Sequence, residues 1–448
     1  MKLLISIFKN ILPFNHDGAR GKALINTYWL ILDQVIRMCL GFFILGIITR
    51  NIGAYSFGQL NYAIAFVSLF SVLTTLGIDR IIVKEIVEDQ KNYILTLGTS
   101  FYLKFFGSFL LIAVSVLTSI FVFGNNQTTT GLILIFSFSY IFQTSDVIEF
   151  LYQSNLEAKY IVIIKLITFL ISSILKVVIV LNTKSILGLA SIYLLESILS
   201  ALFLFILFKF HHGNFLLSFN TTKAKKLLSE GLPLLFATLF VTIYMKIDQV
   251  FLQYYSDSTA VGLYSAAVRV SEIPFFVGTI ITTAAFPLVI KAKKLGRIKY
   301  VYRFRLLLSV LTYSAFLISI TFYIFSDLLI SVIFGSSFAA ASAILRIHVW
   351  SLLFVFIGLA QGIWLIGEGE TKLSFAFTVV GALINVILNI ILIPIYDGKG
   401  AAFATLISYM FAAFLANFFL KKTRVLGIMQ IKSLSPQLLL NVIRKRGI

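Results

Sequence analysis

The chain has 448 residues, 59% hydrophobic and 12% charged, where a water-soluble domain is nearer half apolar and a quarter charged. That excludes a soluble protein, and a dozen membrane crossings of about 20 apolar residues each leave chain for short loops only. One cysteine, Cys39, excludes a disulfide framework, and His16, His211, His212 and His348 are too scattered to predict a metal site.

Apolar runs bounded by polar or basic clusters predict twelve transmembrane helices, at 24–50, 60–78, 99–123, 131–151, 161–181, 187–208, 231–253, 261–288, 306–328, 342–366, 374–394 and 401–420. An even number puts both termini on one side. Of the 37 Lys and Arg, 27 lie in the termini and the connections on their side, only Arg50, Lys184 and Lys399 in the opposite loops, and seven within spans. The positive-inside rule therefore predicts cytoplasmic termini. The net charge of +19 reads as a topology signal whose partner is anionic membrane lipid, and nucleic acid is not expected.

Residues 1–23 predict an amphipathic N-terminal segment lying in the interface, with Leu4, Ile7, Phe8, Ile11 and Leu12 at helical spacing. The basic cytoplasmic tail, 421–448, reads as a similar surface anchor. The longest inner connection, 209–230, is polar and basic and divides the spans into an N-lobe, 24–208, and a C-lobe, 231–420. Phe57-Gly58 with Ala63 aligns with Val261-Gly262 with Ala267, each just after the first outer loop of its half. Such a repeat is parallel and implies two six-helix bundles facing a central cavity. The outer loops are short, and the first, 51–59, holds no acid; Asp257 and Asp327 lack acidic neighbours, so an enzyme is not expected.

Charges inside spans are costly, at least about 2.5–3.5 kcal/mol each at mid-bilayer. Lys104, Lys165, Lys176, Arg346, Asp146 and Glu149 lie near span ends, where side chains snorkel to headgroups. Asp33, Arg37, Glu196, Lys246, Asp248, Arg269 and Glu272 lie deeper and are the candidate functional residues. Asp33/Arg37 and Arg269/Glu272 share helix faces and can pair locally. Lys246 and Asp248 point apart and predict partners on other helices, Glu272 for the first and Arg269 for the second. A chamber lined by Arg37, Lys246 and Arg269 suits a pyrophosphate, because the guanidinium fork binds two oxygens at once. Gly381, Asn385 and Asn389 form a stripe that reads as helix packing, and Pro274 and Pro287 should kink the eighth span.

Several blocks resemble Wzx-type O-antigen and polysaccharide flippases: TRNIGAYSFGQLNYA (Thr49 to Ala63), IEFLYQSNLEAKYI (Ile148 to Ile161), Gly231 to Glu272, IFGSSFAAASAILRI (Ile333 to Ile347) and INVILNIILIPIYDGKGAAFATLISY (Ile384 to Tyr409). The resemblance implies an all-α polytopic protein of MATE-like, V-shaped fold in the bacterial inner membrane, working by alternating access. It implies translocation of an undecaprenyl-pyrophosphate-linked oligosaccharide, an O-antigen or capsule-type repeat unit, from the cytoplasmic to the outer leaflet. Polysaccharide polymerase and chain-length machinery are the partners it implies. No cofactor is expected; protonation of Asp33, Asp248 or Glu272 is a candidate coupling step, and H+ and Na+ both stay open as the driving ion. The alternative within this fold is an ion-coupled multidrug exporter.

Overall fold

The computed structural model describes residues 19–123, 127–213, 218–435 and 437. Among them the chain is helical, with no strand. Helix is the form dictated by lipid, where each backbone N–H and C=O must find its partner within the segment. Large apolar side chains accordingly remain on the outside, among them Phe43, Phe106, Leu117, Ile174 and Leu181, as a hydrocarbon solvent requires.

In chain order the helices are α1 (Ala19–Leu69), α2 (Val72–Thr75), α3 (Asp79–Glu88), α4 (Tyr93–Phe123), α5 (Gln127–Gln143), α6 (Asp146–Ser154), α7 (Ala158–Asn182), α8 (Ile186–His212) and α9 (Thr221–Tyr255). They continue as α10 (Ser258–Glu272), α11 (Phe275–Lys293), α12 (Arg297–Ile324), α13 (Ser326–Phe334), α14 (Ala341–His348), α15 (Ser351–Glu368), α16 (Thr371–Met410), α17 (Ala416–Phe419) and α18 (Arg424–Ser433). Polar residues start several of them: Ser185 accepts from the Gly188 N–H at 3.1 Å, Asp257 from Ala260 at 2.8 Å and Asn220 from Lys223 at 2.8 Å. Nine stretches among the described residues are long and apolar enough to cross a membrane, or ten when the bent pair α5/α6 counts as one.

Two helices are too long for one crossing. At 1.5 Å per residue the 51 residues of α1 would extend about 77 Å, against a hydrocarbon core of about 30 Å. The break is Gly53, at φ 75°, a conformation that a side chain would strain. Helix α16 breaks at Asp397, φ 48°, where the chain turns back so sharply that the backbone of Gly400 abuts Leu392 and Ile393. The Ser256 hydroxyl donates to Asp397 at 2.6 Å beside this turn. Pro274 stands at the break between α10 and α11, and Pro287 lies within α11.

The described residues form two compact units: those before Thr49 with Phe70–Phe236, and Thr49–Leu69 with those from Ala237 onward. The first is centred on Ile78, Ile82, Leu97, Val147, Leu151, Leu204, Phe208 and Leu227. The second is centred on Tyr300, Phe304, Leu308, Leu311, Phe356 and Trp364. These bounds differ in two places from the division at 209–230. The start of α9 belongs to the first unit because Lys84–Glu230 (3.0 Å), Lys226–Glu85 (2.5 Å) and Lys223–Asp89 (3.6 Å) tie it to α3 and the turn after it. The Asn92 amide, donating to both Asp89 oxygens at 3.1 Å, holds that carboxyl below its ordinary range. Residues 49–69 belong to the second unit because they lie against α10, where a side chain on Gly58 would strike the Ser258 carbonyl and one on Gly262 the Ala54 carbonyl. The positions that the sequence aligns as repeats thus pack on each other reciprocally.

The tail begins with a helix that packs on the protein. Helix α18 is docked: Leu426, Met429 and Gln430 are buried, with Val425, Ile428 and Ile431 outward. Its anchor is a π-helical turn, Phe411–Leu415, whose widened spacing frees carbonyls. Gln430 donates to Ala413 at 2.9 Å, Asn417 to the same carbonyl at 3.0 Å and Gln361 to Ala412 at 3.3 Å. Gln430→Ala should lower stability by about 1–3 kcal/mol, the cost of unsatisfied buried groups. Thermal unfolding in detergent measures this, with exposed Lys432→Ala as a control that should stay within about 0.5 kcal/mol. The N-terminal interfacial segment falls almost wholly on residues 1–18, outside the described residues.

Candidate functional site

The candidate residues divide between the units. Asp33, Arg37 and Glu196 belong to the first; Lys246, Asp248, Arg269 and Glu272 belong to the second.

In the first unit Arg37 Nε donates to Asp33 at 2.6 Å, one helical turn away, as the spacing predicts. The guanidinium lies 5.5 Å from the Phe169 ring centre, and its Nη2 is buried without a hydrogen-bond partner. Glu196 is committed to structure: one oxygen accepts from Lys176 at 2.8 Å and Ser172 at 2.7 Å. Lys176 in turn lies 3.7 Å from the Tyr193 ring centre and is 5% exposed. Lys104 is 2% exposed, bonded to Asp79 at 2.8 Å and facing the Phe150 ring. Neither lysine snorkels, because each has an anion and an aromatic face within the helix bundle, which compensate the lost hydration.

In the second unit Asp248 is the centre of a buried polar cluster. Carried by α9, it is 3% exposed. The Tyr264 hydroxyl from α10 donates to Oδ2 at 2.5 Å, the Thr405 hydroxyl lies 2.7 Å from the same oxygen, and the Asn389 amide donates to Oδ1 at 2.5 Å. Asn389 also donates to Asn385 Oδ1 at 3.0 Å, and Thr405 approaches the Ala401 carbonyl at 3.0 Å. The break at Asp397 is what brings the two arms of α16, with Asn385 and Asn389 on one and Thr405 on the other, to a single carboxylate. Asn389 Oδ1 and Asn385 Nδ2 are buried with no partner.

The predicted pairing of Arg269 with Asp248 does not form. Arg269 instead donates to Asn61 Oδ1 at 2.9 Å and lies 5.6 Å from the Phe57 ring centre; Asn61 is fixed by donating to the Phe57 carbonyl at 2.7 Å. Lys246 and Glu272 interact electrostatically with each other and with Arg269, without a direct ion pair. Both are half-buried, so a base and an acid stand ready to take other partners. His348, 2% exposed, faces Ser271 at 2.7 Å and the edge of Tyr264.

Sequence reasoning missed Tyr264 and Thr405, and assigned Asn385 and Asn389 to packing. Gly381 keeps that role, lying against Ala412 and the Tyr244 ring. The signal available was the i, i+4 spacing of two amides, which puts both on one helix face. Nothing in the spacing of Tyr264 or Thr405 points to Asp248.

Chemically, the Asp248 cluster offers oxygen atoms from carboxylate, amide and hydroxyl groups, with no cationic side chain bonded to the acid. That set suits a hard monovalent cation or a proton, the ligands that carboxylates take inside transporter helices.

Residues 23–293 match the family model described as polysaccharide biosynthesis protein, and residues 233–391 match the MatE model. The capsular polysaccharide biosynthesis protein CapF of Staphylococcus aureus is 23% identical over 415 residues, covering 89% of this chain and 99% of that protein. Among solved structures, lipid II flippase MurJ in an inward closed conformation aligns with TM-score 0.70 at 17% identity, over 95% of this chain and 93% of its own. An inward-facing multidrug resistance MATE family transporter of the MOP superfamily aligns with TM-score 0.67 at 16% identity, over 88% and 96%. This multi-pass membrane protein of MATE-like fold belongs to the polysaccharide biosynthesis protein family.

Proposed function

We propose that the chain is a non-enzymatic flippase that moves an undecaprenyl-pyrophosphate-linked oligosaccharide from the cytoplasmic to the outer leaflet of a bacterial inner membrane. The family match over residues 23–293 carries this reading, with support from a full-length relative named for capsular polysaccharide biosynthesis and a structural neighbour named as a lipid II flippase. Twelve crossings are reached from the ten apolar stretches once each helix broken at Gly53 and Asp397 counts as two, and the bias of Lys and Arg along the chain supports cytoplasmic termini. Lys246 and Arg269 of the second unit are assigned to the diphosphate, Arg37 of the first unit is a separate candidate for it, and the Asp248 cluster is assigned to the coupling ion, H+ or Na+. Asn389 Oδ1, a buried acceptor facing no donor, is the observation that favours a cation there.

Arg37→Ala and Arg269→Ala should each abolish surface polysaccharide and accumulate its lipid-linked unit, with protein abundance unchanged. Quantifying glycolipid and polysaccharide in a deletion strain complemented with each variant tests this; normal polysaccharide in both would remove these residues from the site. The second reading, ion-coupled drug export, draws on the MatE match over residues 233–391. It predicts drug hypersensitivity of the deletion strain with its polysaccharide intact.

A further inference from the structure

The second unit carries an exposed basic surface that neither the diphosphate residues nor the Asp248 cluster uses. Seven Lys and Arg and no acid fall between residues 291 and 305, which cover the end of α11, the turn after it and the start of α12. The inner face of this segment is fixed in the core: Tyr300 and Phe304 are fully buried, and the Tyr300 ring stacks on Trp364 at 4.9 Å. A single acid from α15, Glu368, accepts from Arg297 at 2.7 Å and faces Lys293 at 3.7 Å. Arg303 donates to the Leu288 carbonyl at 3.0 Å. Lys291, Lys294, Lys299 and Arg305 form no ion pair among the described residues. Large apolar side chains stand among these bases: Tyr302 is 48% exposed, Leu295 55% and Ile298 86%. Ile298, Tyr302 and Arg305 recur at i, i+4 and i+7, so they share one face of α12.

The bilayer supplies the neighbour that such a surface fits. Helices α11 and α12 belong to stretches long and apolar enough to cross a membrane, so the turn between them lies at a membrane face, the one that the positive-inside rule assigns to the cytoplasm. The apolar run predicted before the turn ends at 288 and the next begins at 306. Helix α11 therefore continues to Lys293 and α12 starts already at Arg297, about 8 and 14 Å beyond the hydrocarbon at 1.5 Å per residue. The headgroup layer is about 5–8 Å deep on each side, which puts the bases level with lipid phosphates or within a long side chain's reach of them. Positive-inside bias alone asks only for bases; it does not ask for bare isoleucine, leucine and tyrosine among them on a preformed face. Cations interleaved with apolar side chains are what capture of an anionic lipid requires, one part meeting phosphate and the other the less polar layer beneath. We propose that the α11–α12 turn is a binding surface for anionic phospholipid of the leaflet it faces, with the phosphate on Lys291, Lys294 and Lys299 and with Ile298 and Tyr302 packed among the lipids.

The test is lipid titration of the full-length protein in neutral detergent, read by melting temperature and by lipid retained in native mass spectrometry. Phosphatidylglycerol should raise the melting temperature and stay bound, and phosphatidylcholine or inorganic phosphate should do neither. The triple variant Lys291→Gln, Lys294→Gln and Lys299→Gln should bind phosphatidylglycerol at least about tenfold more weakly. A second triple variant, Lys225→Gln, Lys421→Gln and Lys432→Gln, removes the same charge from exposed positions elsewhere and should bind it as the wild type does. Ile298→Ser keeps every base, should also weaken binding, and reports on the surface if the first triple variant fails to fold. Equal weakening in the two triple variants would reduce the effect to net charge and overturn the proposal. So would equal stabilisation by phosphatidylcholine or by inorganic phosphate, or binding unchanged in both the first triple variant and Ile298→Ser. The readout involves no transport, so its outcome is independent of whether the cargo is a glycolipid.

Discussion

Asp248→Asn should abolish transport and erase the ion dependence of stability while leaving the protein folded. The substitution is nearly isosteric: an amide replaces the carboxylate at nearly equal volume, and its oxygen can still accept from the hydroxyls of Tyr264 and Thr405. What is lost is the negative charge. A cation that binds the native protein and not the unfolded chain stabilises it by about 2.7 kcal/mol at a concentration a hundredfold above its dissociation constant. The wild type should therefore unfold at a higher temperature in sodium than in choline chloride, or show the equivalent shift with pH if the ion is a proton. The variant should show neither. Asp248→Leu should behave differently, because it removes the acceptor of three buried donors, leaving Tyr264 only its 3.2 Å contact with Thr405 and Asn389 only its bond to Asn385, and a buried donor deprived of its acceptor costs about 1–3 kcal/mol. A wild-type melting temperature insensitive to both sodium and pH would remove the coupling role from Asp248.

The value of Asp248 to the cycle, on this reading, comes from its lack of a fixed counter-charge. Glu196 shows the contrast: with Lys176 at 2.8 Å and Ser172 at 2.7 Å on one oxygen, its charge is already compensated, and a second cation would have to displace a buried ammonium. Asp248 is held by neutral donors only, so binding and release of an ion change its net charge by one unit. That change biases two conformations only as far as the ion's affinity differs between them.

Much of this organisation was legible in the sequence because the bilayer imposes a simple rule. Long apolar runs become helices, and the Asp33/Arg37 pair forms at its i, i+4 spacing. Depth along a span proved a poor guide to burial: Lys104 and Lys176 sit near predicted span ends, yet both are enclosed, because a bundle surrounds its interior along the whole helix length. Partners on other helices were the least legible. Arg269 turns to Asn61, 208 residues away in sequence, and Thr405 reaches Asp248 from 157 residues away; neither distance leaves a periodic trace. The π-helical turn at Phe411–Leu415 was equally hidden, since its carbonyls are answered by Gln430 from a segment that composition marks only as a basic surface anchor.

Gly262→Leu should be among the most destabilising single substitutions in the second unit. In membranes the hydrophobic effect gives helices no reason to associate, so close backbone approach between small residues carries much of the attraction. Here the approach is mutual: a Cβ on Gly262 meets the Ala54 carbonyl, and one on Gly58 meets the Ser258 carbonyl. Those obstacles are main-chain atoms, which cannot rotate aside as a flexible side chain would. Even Gly58→Ala and Gly262→Ala must push the helices apart, and overpacking of this kind costs about 1–3 kcal/mol or more. Leucine should cost more still and pull Arg269 from Asn61, since α10 carries Arg269 two turns beyond Gly262. Gly362→Ala supplies the control, because nothing lies within 4 Å of a Cβ there. Replacing glycine in an open helical position should be neutral or stabilising by about 0.5–1 kcal/mol. Thermal unfolding of the purified variants separates the cases: melting temperatures of Gly58→Ala and Gly262→Ala equal to that of Gly362→Ala would mean that the crossing is not held by backbone contact.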